Sequence, residues 1–110
     1  YRGQAAAPDS CRRMMDILLL QEYNDRIPRF LPDGVRVAHK TGTMDNLTHD
    51  AGIIMVPGGG PVLVTVLVQG LAECDGELLI GRVAQQAYYY YAAAAAQAAA
   101  AAQAAAQSAP

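Results

Sequence analysis

Basic clusters are missing from this 110-residue chain: its eight Lys and Arg are scattered, ten Asp and Glu outnumber them, and the formal net charge is −2. Without a basic stripe there is no electrostatic footprint for a phosphate backbone, which excludes nucleic acid as a principal partner. Cysteine is equally scarce. Cys11 and Cys74 stand far apart with no C-x-x-C or zinc-type spacing, so they read as small buried apolar residues or as one disulfide in an oxidising compartment. His39, His49 and Asp50 also match no zinc pattern, and neither a metal nor a cofactor is expected. No initiator Met, charged n-region or apolar h-region precedes the body of the chain, so an export signal is expected to lie outside this stretch or to have been removed. The length suits one small domain rather than two.

Charge is absent altogether after Arg82. Beyond that point come a run of four tyrosines at 88–91 and then alanines broken by Gln97, Gln103 and Gln107. This divides the chain into a globular portion, 1–91, and an Ala/Gln-rich low-complexity tail, 92–110, whose composition has the highest helix propensity available. A membrane span is not expected there, because alanine contributes little to insertion and the glutamines interrupt the run. The tail reads as a helix that leaves the domain and frays towards Ser108 and Pro110.

Within the globular portion, "DSCRRMMDILLLQEYN" at 9–24 places Cys11, Met14, Met15, Leu18 and Leu19 at three-and-four spacing, predicting an amphipathic helix with Asp9 or Ser10 as its cap. Pro28 and Pro32 predict an extended connection, and Pro32-Asp33-Gly34 a turn. Three β-branched runs come next, at 35–43, 50–56 and 62–69. The polar residues 44–49 and the Pro57-Gly58-Gly59-Gly60 turn are short enough to make both connections antiparallel. Gly58, Gly59 and Gly60 precede a strand, not a helix, so they form no phosphate loop. A second helix is predicted from Glu73 through Leu78, Leu79, Val83 and Ala87 into the tyrosines. The expected fold class is α+β: an antiparallel three-stranded sheet, 35–43 at one edge and 50–56 central, with an N-terminal and a C-terminal helix packed on the same face. "VLVTVLV" is apolar on both of its sides, more than two helices can cover.

The segments "YNDRIPRFLPDGVRVAHKTGT" and "DAGIIMVPGGGPVLVTVLVQG", set between two helices, resemble the C-terminal part of the class A serine β-lactamases and their penicillin-binding relatives, over residues 10 to 90. The resemblance implies a partial serine β-lactamase/transpeptidase-like fold. In that family an S-x-x-K nucleophile motif, an S-D-N motif and a K-T-G strand build one site. Here only the third is present, as Lys40-Thr41-Gly42. Carried over residue by residue, Lys40 and Thr41 would be the catalytic and substrate-binding pair, a fixed positive charge and a hydroxyl donor for a substrate carboxylate. Gly42 would let the ligand approach the backbone, and the Thr43 N–H would be one oxyanion donor. Strand alternation sends Lys40 and Thr41 to opposite faces, so both reach one ligand only from an edge strand. From the residue alone an edge lysine that discourages aggregation is the plainer account of Lys40, and the resemblance reverses that preference.

Departures from the family pattern are equally definite. Ser10 is followed by Cys11, Arg12 and Arg13, Ser108 lies in the tail, and neither S-D-N nor an acidic residue for a deacylating water has a counterpart. Asp50, Ala51 and Gly52 occupy the region where many class A enzymes carry a substrate-binding arginine, so a second cation, where one is needed, would come from elsewhere: from the missing segment, or from His49 as a substitute, although His49 reads more simply as a loop histidine and Asp50 as a turn or strand-start residue. The function implied is a segment of a β-lactam-hydrolysing serine hydrolase, inactive alone. Its partners would be a β-lactam or peptidoglycan-like substrate and the missing N-terminal portion of the same domain, with no nucleic acid and no membrane span. The substrates of such enzymes lie in the periplasm or outside the cell, so that location is implied too. A D-alanyl-D-alanine peptidase uses the same motif, and a non-catalytic binding or assembly module is the reading from a different class.

Overall fold

The computed structural model describes residues 1–109 and has the order α1 (Pro8–Leu19), a short 3-10 helix (Ile27–Phe30), β1 (Val37–Met44), β2 (Leu47–Val56), β3 (Gly60–Gln69) and α2 (Glu73–Ser108). The strands form one antiparallel meander in the order β1-β2-β3, with Lys40 opposite Ala51 and Ala51 opposite Thr65. The α+β architecture is the expected one, and β1 is an edge.

Local chemistry moves several boundaries. Pro8, not Asp9 or Ser10, opens α1: its missing N–H falls where a helix has no partner for it, Ala7 is the cap residue, and no side chain caps the end. The helix stops at Leu19, short of the expected 24. Pro28 sits inside the 3-10 helix instead of in an extended connection, whereas Leu31, which precedes Pro32, is extended, with ψ 152°. Asn46 takes a left-handed φ of 58° and closes a two-residue turn with Asp45, so residues expected to be loop are paired and His49 and Asp50 lie within β2.

The core between sheet and α2 contains Val37, Ile54, Val56, Val64 and Val68 from the strands with Ile27, Ile80, Ala84 and Tyr88. The buried face of α2 is therefore Gly76, Ile80, Gly81, Ala84 and Tyr88, whereas Leu78, Leu79 and Val83 of the predicted stripe are 39%, 44% and 42% exposed. Small residues choose the face. A methyl group on Gly76 would lie 2.9 Å from Cβ of Thr48, and one on Gly81 2.9 Å from Cδ2 of Phe30, so the helix sits too close for anything larger. Beyond Tyr91, α2 continues unbroken to Ser108, and Ala95 approaches the β2–β3 hairpin at Gly59. Among the described residues no helix is long and apolar enough to cross a membrane.

The two helices lie on opposite faces, not on one. α2 packs on β2 and β3, while α1 packs on β1. Cys11, Met14 and Leu18 of α1 share a cleft with Ile53, whose side chain alternates away from the α2 core, and the neighbouring Ala38 is fully buried. Strands lie about 4.8 Å apart and a helix with its side chains is about 10 Å wide, so a helix centred on β1 does not reach β3. Leu63 and Leu67 on that side of β3 are consequently 76% and 71% exposed. Both thiols are free, Cys11 buried and Cys74 exposed, which removes the disulfide alternative.

Candidate functional site

Lys40, Thr41, Gly42 and Thr43 occupy the C-terminal half of β1. Lys40 is the only lysine in the sequence. Met55 N donates to Arg36 O at 2.9 Å, which makes Arg36–Met55 a hydrogen-bonding pair of the ladder. By antiparallel alternation Lys40 and Gly42 direct their N–H and C=O groups to β2, whereas Thr41 and Thr43 turn theirs to the open edge. The Thr43 N–H is thus aimed outward. Lys40 is exposed, with Nζ donating to Thr41 O at 2.7 Å. A methyl group on Gly42 would meet only Cβ of His49, at 3.9 Å, so the space beside it is open. Thr41 and Thr43 project to the other side, where they line a cleft of ≈ 250 Å³ with Tyr23, Asp25, Arg26 and Glu73.

Arg26 is the residue that sequence reasoning missed. It precedes the 3-10 helix and is only 4% exposed. Nη1 donates to Gly42 O at 2.9 Å and to His49 O at 2.8 Å; Nη2 donates to Thr43 Oγ1 at 2.6 Å and to Glu73 Oε1 at 3.4 Å. Nε has no hydrogen-bond partner, with Asp25 Oδ1 at 3.6 Å. Arg26 thus brings a second positive charge to this strand end from the loop before β1. The only local signal is an arginine beside a buried isoleucine in "DRIPRF", since its partners lie 16 to 47 residues away.

Asp50 explains why Arg26 stays there. Fully buried, it accepts from Ile27 N at 3.1 Å, and both of its oxygens lie 3.0 Å from His39 Nδ1. His39 Nε2 in turn lies 3.3 Å from Asn24 Oδ1, while Asn24 Nδ2 donates to the carbonyls of Gln21 and Glu22. One carboxylate thus ties β1, β2 and the Arg26 loop together, a larger part than the turn or strand-start role expected of it. Gly52 belongs to the same unit: a methyl group there would lie 2.6 Å from Cβ of His39. His49 is a strand residue, and its Nδ1 accepts the Val68 N–H at 3.1 Å, so it does not converge with His39 and Asp50 on a metal. Around Arg26 the carboxylates crowd. Glu77 lies 3.7 Å from Arg26 and 3.9 Å from Arg29; burial first, then Asp25, raises its carboxyl above the ordinary value against the pull of Arg26. Ser10, on α1, and Ser108, at the end of α2, do not line the cleft.

A K-T-G strand at the edge of an antiparallel sheet, with a helix on each face, is the arrangement that the resemblance to the β-lactamase and penicillin-binding family implies. The family model described as the beta-lactamase enzyme family matches residues 1–91, and the chain belongs to that family. It is 44% identical over 72 residues to the extended-spectrum beta-lactamase PER-1 of Pseudomonas aeruginosa, a match covering 58% of this chain and 23% of the relative. A solved beta-lactamase from Sphaerobacter thermophilus superposes with TM-score 0.71 at 34% identity, covering 77% of this chain and 33% of that one. PBP-A, solved as an L158E acyl-enzyme complex with penicillin G, superposes with TM-score 0.74 at 28% identity over 82% of this chain and 34% of that one. The chain thus spans a quarter to a third of the length of these relatives.

Proposed function

We propose that this chain supplies the K-T-G side of a β-lactam-opening serine hydrolase site, the nucleophile coming from the rest of the domain. The observation that carries the reading is the flanking of one open strand end by two cations. Lys40 stands on one face of β1, and on the other Arg26 is fixed beside the hydroxyls of Thr41 and Thr43. A substrate carboxylate laid along this edge meets the Thr41 hydroxyl and the field of both charges. The outward Thr43 N–H then faces the carbonyl under attack, where one such donor is worth about 3 kcal/mol in the transition state.

In this reading residues 1–91 are the C-terminal portion of the catalytic domain, 92–110 extend its last helix, and the remainder of the domain covers Leu63 and Leu67. Substrates of this kind place the protein in the periplasm or outside the cell. The acyl-enzyme of PBP-A with penicillin G supports a covalent route for the relative, and a D-alanyl-D-alanine peptidase would use the same strand end.

Intact-mass spectrometry of the complete gene product with benzylpenicillin tests the reading. A transient or lasting adduct on a serine outside residues 1–110 is expected, with no adduct and no hydrolysis by residues 1–110 alone. A complete gene product that binds and acylates nothing would leave a non-catalytic module.

A further inference from the structure

We propose that Glu73 is a resident competitor for the substrate carboxylate: it occupies the one Arg26 N–H free to change partner, and an anionic substrate binds by displacing it. This rests on the reading above, in which the substrate carboxylate lies at the Thr41 hydroxyl in the field of Arg26.

The hydrogen-bond accounting of the guanidinium leads there. Both Nη1 hydrogens are committed to the carbonyls of Gly42 and His49 at 2.9 and 2.8 Å, and one Nη2 hydrogen to Thr43 Oγ1 at 2.6 Å. Backbone carbonyls of a paired strand do not move aside for a ligand. The remaining Nη2 hydrogen goes to Glu73 Oε1 at 3.4 Å, the longest of the four contacts. Nε, 3.6 Å from Asp25 and without a partner, shows a guanidinium that is nine-tenths buried and still not fully satisfied.

The neighbouring carboxylates differ in their freedom to leave. Glu77 has a side chain only 16% exposed and is shared between Arg26 and Arg29. Glu73 has a side chain 58% exposed and lies in the first turn of α2. The pair is long and exposed at its Glu73 end, so parting it costs less than parting a fully buried pair, and an incoming carboxylate replaces the charge beside Arg26. Once swung away, the Glu73 carboxylate still lies at the positive end of the helix, which favours it there. Glu73 also lines the same cleft as Thr41 and Thr43. A carboxylate that reaches the Thr41 hydroxyl and Arg26 Nη2 enters the space Glu73 holds. The acid therefore lowers the advantage of anionic over neutral ligands while keeping Arg26 compensated in the empty site.

The test compares benzylpenicillin with its methyl ester, which lacks the charge, as substrates of the complete gene product. Glu73→Gln is expected to raise kcat/KM for benzylpenicillin about three- to tenfold and to leave the ester within about twofold, with the gain shrinking as salt screens the site. Glu73→Ala should act in the same direction. In an Arg26→Gln background the effect of Glu73→Gln should vanish. If Glu73→Gln leaves benzylpenicillin within twofold, or lowers it, while Arg26→Gln alone lowers it at least tenfold, the competitor role is overturned and the carboxylate site stands. If Arg26→Gln has no effect on benzylpenicillin, the anchoring reading of Arg26 falls first and this inference with it. Equal gains for acid and ester would also overturn it, since displacement of a charge cannot act on a neutral ligand.

Discussion

β1 and β3 are the two edges of one sheet, built on opposite plans. β1 is held by buried polar groups: His39 and Asp50 are 1% and 0% exposed, and Arg26 binds its strand end through Gly42 O and Thr43 Oγ1. β3 alternates buried or half-buried valines with exposed Leu63, Thr65 and Leu67, and among the described residues nothing packs on its side away from α2. The β1 end is positioned from within this chain, because its partners come from the 3-10 loop and β2. β3 carries two exposed leucines, Leu63 and Leu67, on its second face, which nothing among the described residues covers.

The largest effect expected is at the buried hub of the β1 side. Asp50→Ala would leave the Ile27 N–H and His39 Nδ1 without their acceptor in a site closed to water. A loss of about 3–5 kcal/mol in urea unfolding is expected, with Asp50→Asn costing less because one acceptor remains. A loss below about 1 kcal/mol for Asp50→Ala would show that the β1 end is not held in the way its contacts suggest.

Ten residues away in sequence, Lys40 should behave in the reverse manner. Its side chain is exposed and donates only to the neighbouring Thr41 carbonyl, so Lys40→Ala should leave stability within about 0.5 kcal/mol. In the complete gene product it should lower kcat/KM for carboxylate-bearing β-lactams at least ~100-fold, because a charge-assisted contact and its alignment are lost. Activity within twofold of the parent would return Lys40 to the plain role of an edge-strand charge.

A smaller effect is expected at Glu77, where the β1 loop meets α2. Its carboxyl is raised by burial and then by Asp25, so the folded chain holds that proton more tightly than the unfolded one. The stability gained from this is present at low pH and is lost as pH rises from the ordinary carboxylate range through the raised value. Glu77→Gln removes the loss. Thermal unfolding of variant and parent should diverge in the variant's favour as pH rises above the ordinary carboxylate range, and a difference that does not change with pH would contradict the assignment.

The element order, the meander and the edge position of β1 were legible in "VRVAHKTGT", "DAGIIMV" and "PVLVTVLVQG" because β-branched runs and Pro-Gly punctuation are local signals. So was the K-T-G strand itself. What escaped depends on contacts distant in sequence or on residues too small to register as hydrophobic. Gly76 and Gly81 select the buried face of α2, although Leu78, Leu79 and Val83 dominate any count of apolar residues. Arg26 gains its place only when Asp50, 24 positions on, accepts the N–H of the next residue. His39, Asp50 and Gly52 looked like unrelated weak signals because the antiparallel register that stacks them is a property of the folded sheet.

The smallest effect, and the one that sharpens the comparison most, is at Leu63. In residues 1–110 this side chain is 76% exposed, so Leu63→Gln should change the unfolding free energy by no more than about 0.5 kcal/mol. In the complete gene product the same substitution should cost more, because a fully buried leucine contributes roughly 1.5–3 kcal/mol and glutamine would bring an amide needing partners. The measurement is therefore a difference between two differences: the Leu63→Gln effect in the complete product minus that in residues 1–110. A value above about 1 kcal/mol means that another part of the protein covers the outer face of β3. A value near zero means that this face stays open even in the complete protein, and β3 would then be an exposed apolar edge whose role has to be sought in association with other molecules.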